Sequence, residues 1–199
     1  PKNIFNAGVS EQSMMGYAAG LAASGKHVFV YSIGNFNTFR CAEQIRNDID
    51  YHKLSVTIVS AGAGVGYGNL GYSHHAIQDY ALIRSFPNMI IASPGDEMEL
   101  RSCMEYLVKS PQPSYLRLEK SSQFKAHNKK PKLYPGKWLK VFEYKNTDKK
   151  RDIYLATGSV IEFIQNSIKK KIFKKKSLYT VPLWSMKSKK HQKRKIKKF

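Results

Sequence analysis

An α/β fold built on a parallel sheet is the class this sequence predicts, and three features predict it. Strand-like and helix-like segments alternate through the first 118 residues. Leu54 to Ala61 (LSVTIVSA) is a continuous strand of the kind covered on both faces in parallel sheets. A glycine-rich loop follows it directly, with glycines at 62, 64, 66, 68 and 71. At 199 residues and 42% hydrophobic content, the chain has room for one complete α/β domain and part of a second.

Taken in order, Ile4 and Phe5 open a short strand that ends at Ala7 and Gly8. Ser10 is placed to cap a helix from Glu11 to Ser24, rich in Met, Ala and Leu at helical spacing, and Gly25 stops it. His27 to Ile33 (HVFVYSI) reads as a buried strand, and Phe39 to His52 as a second helix. After the glycine-rich loop come a helix over Ala76 to Ser85, a strand over Asn88 to Ala92, a helix from Asp96 to Lys109 opened by Pro94-Gly95-Asp96, and a strand over Ser114 to Leu118. Residues 119–137 are polar, contain Pro131 and Pro135, and read as a linker. Trp138 to Tyr144 and Asp152 to Ala156 are strand-like, Gly158 to Lys170 helical, and Ser177 to Leu183 strand-like. The organisation expected is a domain over 1–118, the linker, a partial second α/β unit over 138–186, and a basic tail over 187–199.

The net charge of +20 belongs to the carboxyl part. Through residue 118 there are nine basic and nine acidic residues, and beyond it twenty-five basic and five acidic. Such a tail reads as solvated, low-complexity sequence, and nucleic acid is not an expected partner. No segment has the length of a membrane span, and the amino end lacks the zones of a signal peptide, so the expected location is the cytoplasm. Cys41 and Cys103, far apart and without metal-ligand spacing, read as small core hydrophobes in a reducing compartment. The chain opens on Pro1 and reads as a fragment or a processed chain.

Glu11 stands one residue after the capping serine, just beyond the carboxyl end of a strand, where open α/β sheets receive ligands. Position alone better suits a carboxylate that offsets the helix dipole, a common role worth a few tenths to about 1 kcal/mol. Phe36 and Phe39 fill a core as readily as they flank a ligand, and a pair such as His74-His75 is more often a surface turn.

Resemblance adds to these readings. The run Asn6 to Gln12 (NAGVSEQ), continued by Met15 to Ala22 (MGYAAGLA), closely resembles the pyrimidine-binding domain of transketolases and deoxyxylulose-phosphate synthases. The similarity runs on through Tyr31-Ser32, Phe36, Phe39, Glu43-Gln44, Gly71 to Ala76 (GYSHHA), Arg84 to Met89 (RSFPNM) and Pro94-Gly95-Asp96, covering roughly residues 3–118. It implies a three-layer, parallel-sheet domain that binds the aminopyrimidine of thiamine diphosphate. Glu11 then takes the place of the glutamate that hydrogen-bonds a ring nitrogen and shuttles a proton. That role needs a protonated carboxylate, so a site that raises its pKa is expected. Phe36 and Phe39 match the shelf on which the ring stacks, although Ala42 stands where a third aromatic is usual. His74 matches a catalytic histidine directed at the substrate, with His75 beside it, and Arg117 and Lys120 lie near a place where relatives keep a basic residue for the substrate phosphate.

These enzymes hold the diphosphate through magnesium in another domain that opens with Gly-Asp-Gly, and this chain contains no such run. No metal ligand is expected here, so the magnesium would belong to a partner. The reading is therefore a carboxyl-type subunit or fragment of a transketolase, a transferase moving two-carbon ketol units between sugar phosphates. It would act only with a diphosphate-binding subunit, in a dimer or heterotetramer. A fragment of deoxyxylulose-phosphate synthase or of a 2-oxo acid dehydrogenase beta subunit stays open beside it, as does a non-catalytic module whose basic tail binds polyanions.

Overall fold

A computed structural model describes residues 3–119, 124–144, 152–170 and 176–188. Along the chain lie α1 (Glu11–Ala23), β1 (Val28–Ile33), α2 (Ala42–Gln44, running on as wider π turns over Ile45–Asp50), β2 (Val56–Ala61), α3 (Asp79–Ile83), β3 (Ile90–Ala92), α4 (Glu97–Lys109) and β4 (Ser114–Leu118). Then follow β5 (Leu139–Phe142), β6 (Asp152–Ala156), α5 (Val160–Lys169), β7 (Lys176–Thr180) and β8 (Leu183–Trp184). The α/β class is as the sequence predicts. Among the described residues no helix is long and apolar enough to cross a membrane. Lys120 and most of the basic tail, residues 189–199, lie outside the described residues.

The chain gathers into two compact units, Pro1–Met89 with Ser110–Lys120, and Ile90–Lys109 with Ser121–Phe199. In the first, β1, β2 and β4 form a parallel ladder in the order β1-β2-β4. Its register sets Ser32, Ser60 and Arg117 in one row near the carboxyl ends of the strands. Helix α1 packs on β1, β2 and the π turns of α2 through Met15, Ala18 and Ala22, spaced three and four residues apart along one face. Met15, Ile45, Ile49 and Ile58 are fully buried, each worth about 1.5–3 kcal/mol of transfer free energy.

Several elements differ from the sequence reading, each for an identifiable reason. Ile4 to Ala7 form no strand, and Ile4 and Phe5 stand largely in solvent. Apolar content qualifies a segment for a strand but does not supply a ladder partner. Ser10 occupies the N-cap position of α1, yet its hydroxyl donates to the Ala7 carbonyl instead of capping. Helix α2 begins at Ala42 because Phe36 to Cys41 lie in turns, where the Thr38 hydroxyl donates to the Gly34 carbonyl at 2.6 Å. Helix α3 begins at Asp79 because the Ala76 backbone is already committed to Gly64, exchanging N–H to O bonds of 2.9 Å in both directions. The strand expected over Ser177 to Leu183 is cut at Val181-Pro182, where proline offers no N–H to a ladder.

In the second unit β5, β7 and β6 lie in that order, β5 antiparallel and β6 parallel to β7. Beneath them Ala156, Ile161 and Leu178 form a small core with Val141, Tyr154, Ile164 and Ile168. β3 pairs antiparallel with β8. At the start of α4, the Asp96 carboxylate accepts the Glu99 N–H at 2.8 Å while the Glu99 carboxylate reaches back to the Gly95 N–H at 2.8 Å, a variant of the capping box. Asp96 also accepts the backbone N–H groups of Ala126 and His127, and the His127 ring meets the fully buried Glu99 at 2.9 Å. Burial works to lower the pKa of His127, but the Glu99 carboxylate, with Asp96 behind it, outweighs burial and raises it above the ordinary value.

A pH-dependent contribution to stability follows. A histidine with a raised folded pKa stabilises fully below its unfolded value of about 6.5 and loses that contribution as pH rises through the folded value. His127→Gln is expected to lower the melting temperature by about 3 °C or more at pH 6 and by less at pH 8.5. A difference from the parent chain that does not change between these pH values in thermal melts would count against a charged His127–Glu99 pair.

Candidate functional site

The site lies in the first unit, where β1 and β2 end and their loops begin. Glu11, the first residue of α1, is 7% exposed. Its Oε1 accepts from the Ser32 hydroxyl at 3.1 Å, near the carboxyl end of β1, and its Oε2 pairs with Arg40 Nη1 at 2.8 Å. Burial pushes the Glu11 pKa up, but its own backbone amide, Ser32 and Arg40 together carry it below the usual carboxylate value. The raised pKa expected from the sequence is therefore not a property of this arrangement, in which Glu11 is held ionised.

The turn after β1 carries the aromatics. Phe36 is half-buried, Phe39 is 43% exposed, and the Arg40 guanidinium lies over the Phe36 ring at 4.7 Å. The turn is fixed from below by Asn37, whose amide donates to the Val59 carbonyl at 2.9 Å and accepts from the Ser60 hydroxyl at 2.6 Å.

The glycine-rich loop leaves β2 and returns at Ala76, closed by the Gly64–Ala76 backbone pair. Gly62 has φ +77°, and a Cβ there would overlap the Tyr67 ring at 1.9 Å, so only glycine fits. The returning limb sets the His74 ring edge-on to Phe36 at 5.1 Å and to Tyr67 at 5.8 Å, with Nδ1 3.0 Å from the Ser73 hydroxyl. The Asn35 side chain donates to the Ser73 carbonyl at 2.7 Å, tying loop to turn. His75 faces elsewhere: its Nε2 lies 2.8 Å from the Gly68 carbonyl and clips the loop to itself.

The fold thus joins Glu11 to the Phe36 turn through Arg40, and that turn to His74, while Phe39 stands at the rim and His75 is engaged within its loop. Arg117 is not open to a phosphate. It is buried, donating from Nε to Asp79, from Nη1 to Glu119 and from Nη2 to the Ala76 carbonyl. Arg40, Asn37 and Tyr67 also shape the site without having been singled out in the sequence, and Ser32, part of the matching Tyr31-Ser32 run, had been given no role there. Arg40 lies 29 positions from the carboxylate it pairs with, and no local pattern signals that contact.

A flat apolar face, a buried carboxylate and an imidazole, drawn from three separate segments and linked through Arg40 and Phe36, suit a planar nitrogen heterocycle such as an aminopyrimidine. Among the described residues no three His, Cys, Asp or Glu side chains converge as a metal-ligating group.

Residues 1–124 match the model of the transketolase pyrimidine-binding domain. The chain is 38% identical over 122 residues to an apulose-4-phosphate transketolase subunit of Phocaeicola vulgatus, covering 61% of this chain and 39% of that protein. It is 34% identical over 124 residues to the 1-deoxy-D-xylulose-5-phosphate synthase of Pelotomaculum thermopropionicum, covering 61% of this chain and 19% of that one. Among solved structures it is similar to a split-gene transketolase in the form of an inactive beta4 tetramer, with a TM-score of 0.77 and 29% identity, over 92% of this chain and 58% of that one. The chain spans less than half the length of these curated relatives.

Proposed function

Because the chain belongs to the transketolase pyrimidine-binding domain family, we propose that it is the carboxyl-type half of a thiamine diphosphate-dependent transketolase, supplying the aminopyrimidine subsite for ketol transfer between sugar phosphates. The observation that carries this reading is one site formed from separate segments. Glu11 of α1, the Phe36 turn after β1 and His74 of the loop after β2 are linked by contacts of 2.8 Å (Glu11–Arg40), 4.7 Å (Arg40–Phe36) and 5.1 Å (Phe36–His74). When bound, the cofactor supplies the carbanion chemistry that breaks a carbon–carbon bond beside a carbonyl.

Phe36 offers the ring a face to stack on, with Phe39 closing the rim. Glu11 holds a proton against a ring nitrogen, and the low polarity around a buried carboxylate favours that protonated form once the opposing cation is gone. His74, braced by Ser73, Phe36 and Tyr67, donates to substrate hydroxyls and relays protons. His75 belongs to the loop's own framework and would act by holding His74 in place.

We assign the diphosphate and its magnesium to a partner subunit, a division that the similarity to a split-gene transketolase supports. Exposed apolar side chains on the helix that opens with Glu11 support a partner: Tyr17 and Leu21 of α1 are 64% and 53% exposed, and the Phe5 ring lies 6.0 Å from that of Tyr17.

Reconstitution tests the reading. The chain alone, given thiamine diphosphate, magnesium, a ketose phosphate donor and an aldose phosphate acceptor, is expected to show no ketol transfer. Mixed with the diphosphate-binding subunit of a split transketolase, it is expected to turn over. Turnover by the chain alone, or an inert mixture in which the two subunits demonstrably associate, would refute the assignment.

A further inference from the structure

Glu11 as folded is not in the state its proposed role requires. A carboxylate that delivers a proton to a pyrimidine nitrogen must carry one, yet both Glu11 oxygens accept hydrogen bonds here, one of them from a cation. The same guanidinium lies over the ring that would receive the heterocycle. We propose that Arg40 is a displaceable cover of the pyrimidine subsite, occupying at once the carboxylate and the aromatic face that an aminopyrimidine needs, and that it withdraws when the ring binds. This rests on the function proposed above.

The chemistry of the two groups is alike. A guanidinium is planar, carries N–H donors on an amidine-like N–C–N unit, and stacks on aromatic faces. An aminopyrimidine presents the same flat face and an N–C–N edge of like size, whose ring nitrogen accepts from a protonated carboxyl where the guanidinium donates to an ionised one, so the two compete for one place. Arg40 Nη1 meets Glu11 Oε2 at 2.8 Å while Arg40 Cζ stands 4.7 Å from the Phe36 centroid, the placement a stacked ring reaching that carboxylate would take.

Exposure decides which partner moves. The Arg40 side chain is 47% exposed and that of Glu11 only 8%, so arginine can swing into solvent while glutamate is fixed by α1. Arg40 also sits in the turn before α2 and not within a helix.

Withdrawal changes the electrostatics of Glu11. The groups that bear on it are the Ser32 hydroxyl from β1, its own backbone amide in α1, Arg40, and the Cys41 thiol, whose pKa burial and the nearby Glu11 charge push up to about 11. Arg40 is the only cation among them. Its departure leaves a buried carboxylate without a counter-ion, which then favours the proton. Cofactor binding and Glu11 protonation become one event.

The test uses the full chain and 4-amino-5-hydroxymethyl-2-methylpyrimidine, a probe without diphosphate that needs no magnesium. Its affinity is measured by ligand-observed NMR for the parent chain, Arg40→Met and Arg40→Lys, with the Glu11 carboxyl carbon titrated in each. Methionine keeps an apolar contact with Phe36 and removes the charge and the donor. Arg40→Met is expected to bind the probe about tenfold more tightly, the gain if the covered state holds about nine-tenths of the population, and to raise the Glu11 titration midpoint. Arg40→Lys, which keeps the charge but not the planar stack, is expected to fall between. Equal or weaker binding by Arg40→Met, with the parent chain binding, overturns the cover and leaves the site intact. Absence of binding by all three overturns the cover together with the pyrimidine reading.

Discussion

Glu11→Gln, in the chain joined to a diphosphate-binding subunit, is expected to cut ketol-transfer turnover by about 10²–10⁴-fold, the range that loss of a positioned acid–base group produces. Cofactor affinity should fall far less. Glutamine keeps the length of the side chain and an oxygen able to accept from the Ser32 hydroxyl, so the site retains its shape. It cannot take up and release a proton at that oxygen. Measuring turnover and cofactor half-saturation separately checks both halves of the expectation. Turnover equal to the parent's would reduce Glu11 to a residue offsetting the α1 dipole, the plainer role its position allows.

Asp79→Leu is expected to be the most damaging single change to the first unit. The Oδ2 atom of Asp79 accepts from the Tyr115 hydroxyl and from Arg117 Nε, both at 2.7 Å, and both partners are buried. Burial and the neighbouring Asp79 carboxylate push the Tyr115 pKa far up, so its hydroxyl stays a donor at any ordinary pH. Arg117 also carries the Ala76 carbonyl and stacks over Tyr80 at 4.3 Å. Among the described residues, removing the carboxylate leaves a guanidinium 6% exposed with the peripheral Glu119 as its remaining acidic partner. Breaking such a pair costs about 3–5 kcal/mol, or about 6–20 °C in melting temperature for a chain of this size. Joining Arg117→Met to Asp79→Leu is expected to recover most of the loss, because the unpaired charge goes with it. A single variant that melts within about 2 °C of the parent would show that water already compensates Arg117.

What the sequence made legible depended on how local the cause was. Helix α1, β1, β2 and β4 followed from periodicity and the glycine stop at Gly25, and their positions differ from the expectation by two residues at most, although the Ser10 side chain does not cap α1. Motif resemblance singled out Glu11, Phe36 and His74, which lie on three separate segments that the fold links through Arg40. The Ile4 to Ala7 segment failed as a strand because exposed apolar residues and buried ones read alike along a chain. Arg40 and Asp79 were invisible for the opposite reason. Their partners lie 29 and 38 positions away, and a charge in a turn gives no sign of which distant charge it meets. The raised pKa expected of Glu11 came from its role, and the side chains around it set the sign the other way.

The neck of the glycine-rich loop bears on how this site can diversify. Gly64 and Ala76 exchange both backbone hydrogen bonds, His75 closes onto Gly68 inside the excursion, and Asn35 supplies a polar tether from the turn. The stretch between the neck residues is therefore a cassette: its exposed tip at Val65, Asn69 and Leu70 can change in sequence, or be transplanted from a relative, without passing strain into β2. On the function proposed above, changes at the tip would retune which acceptor reaches the His74 imidazole, while Glu11 on α1, anchored through Ser32 of a different strand, keeps its place.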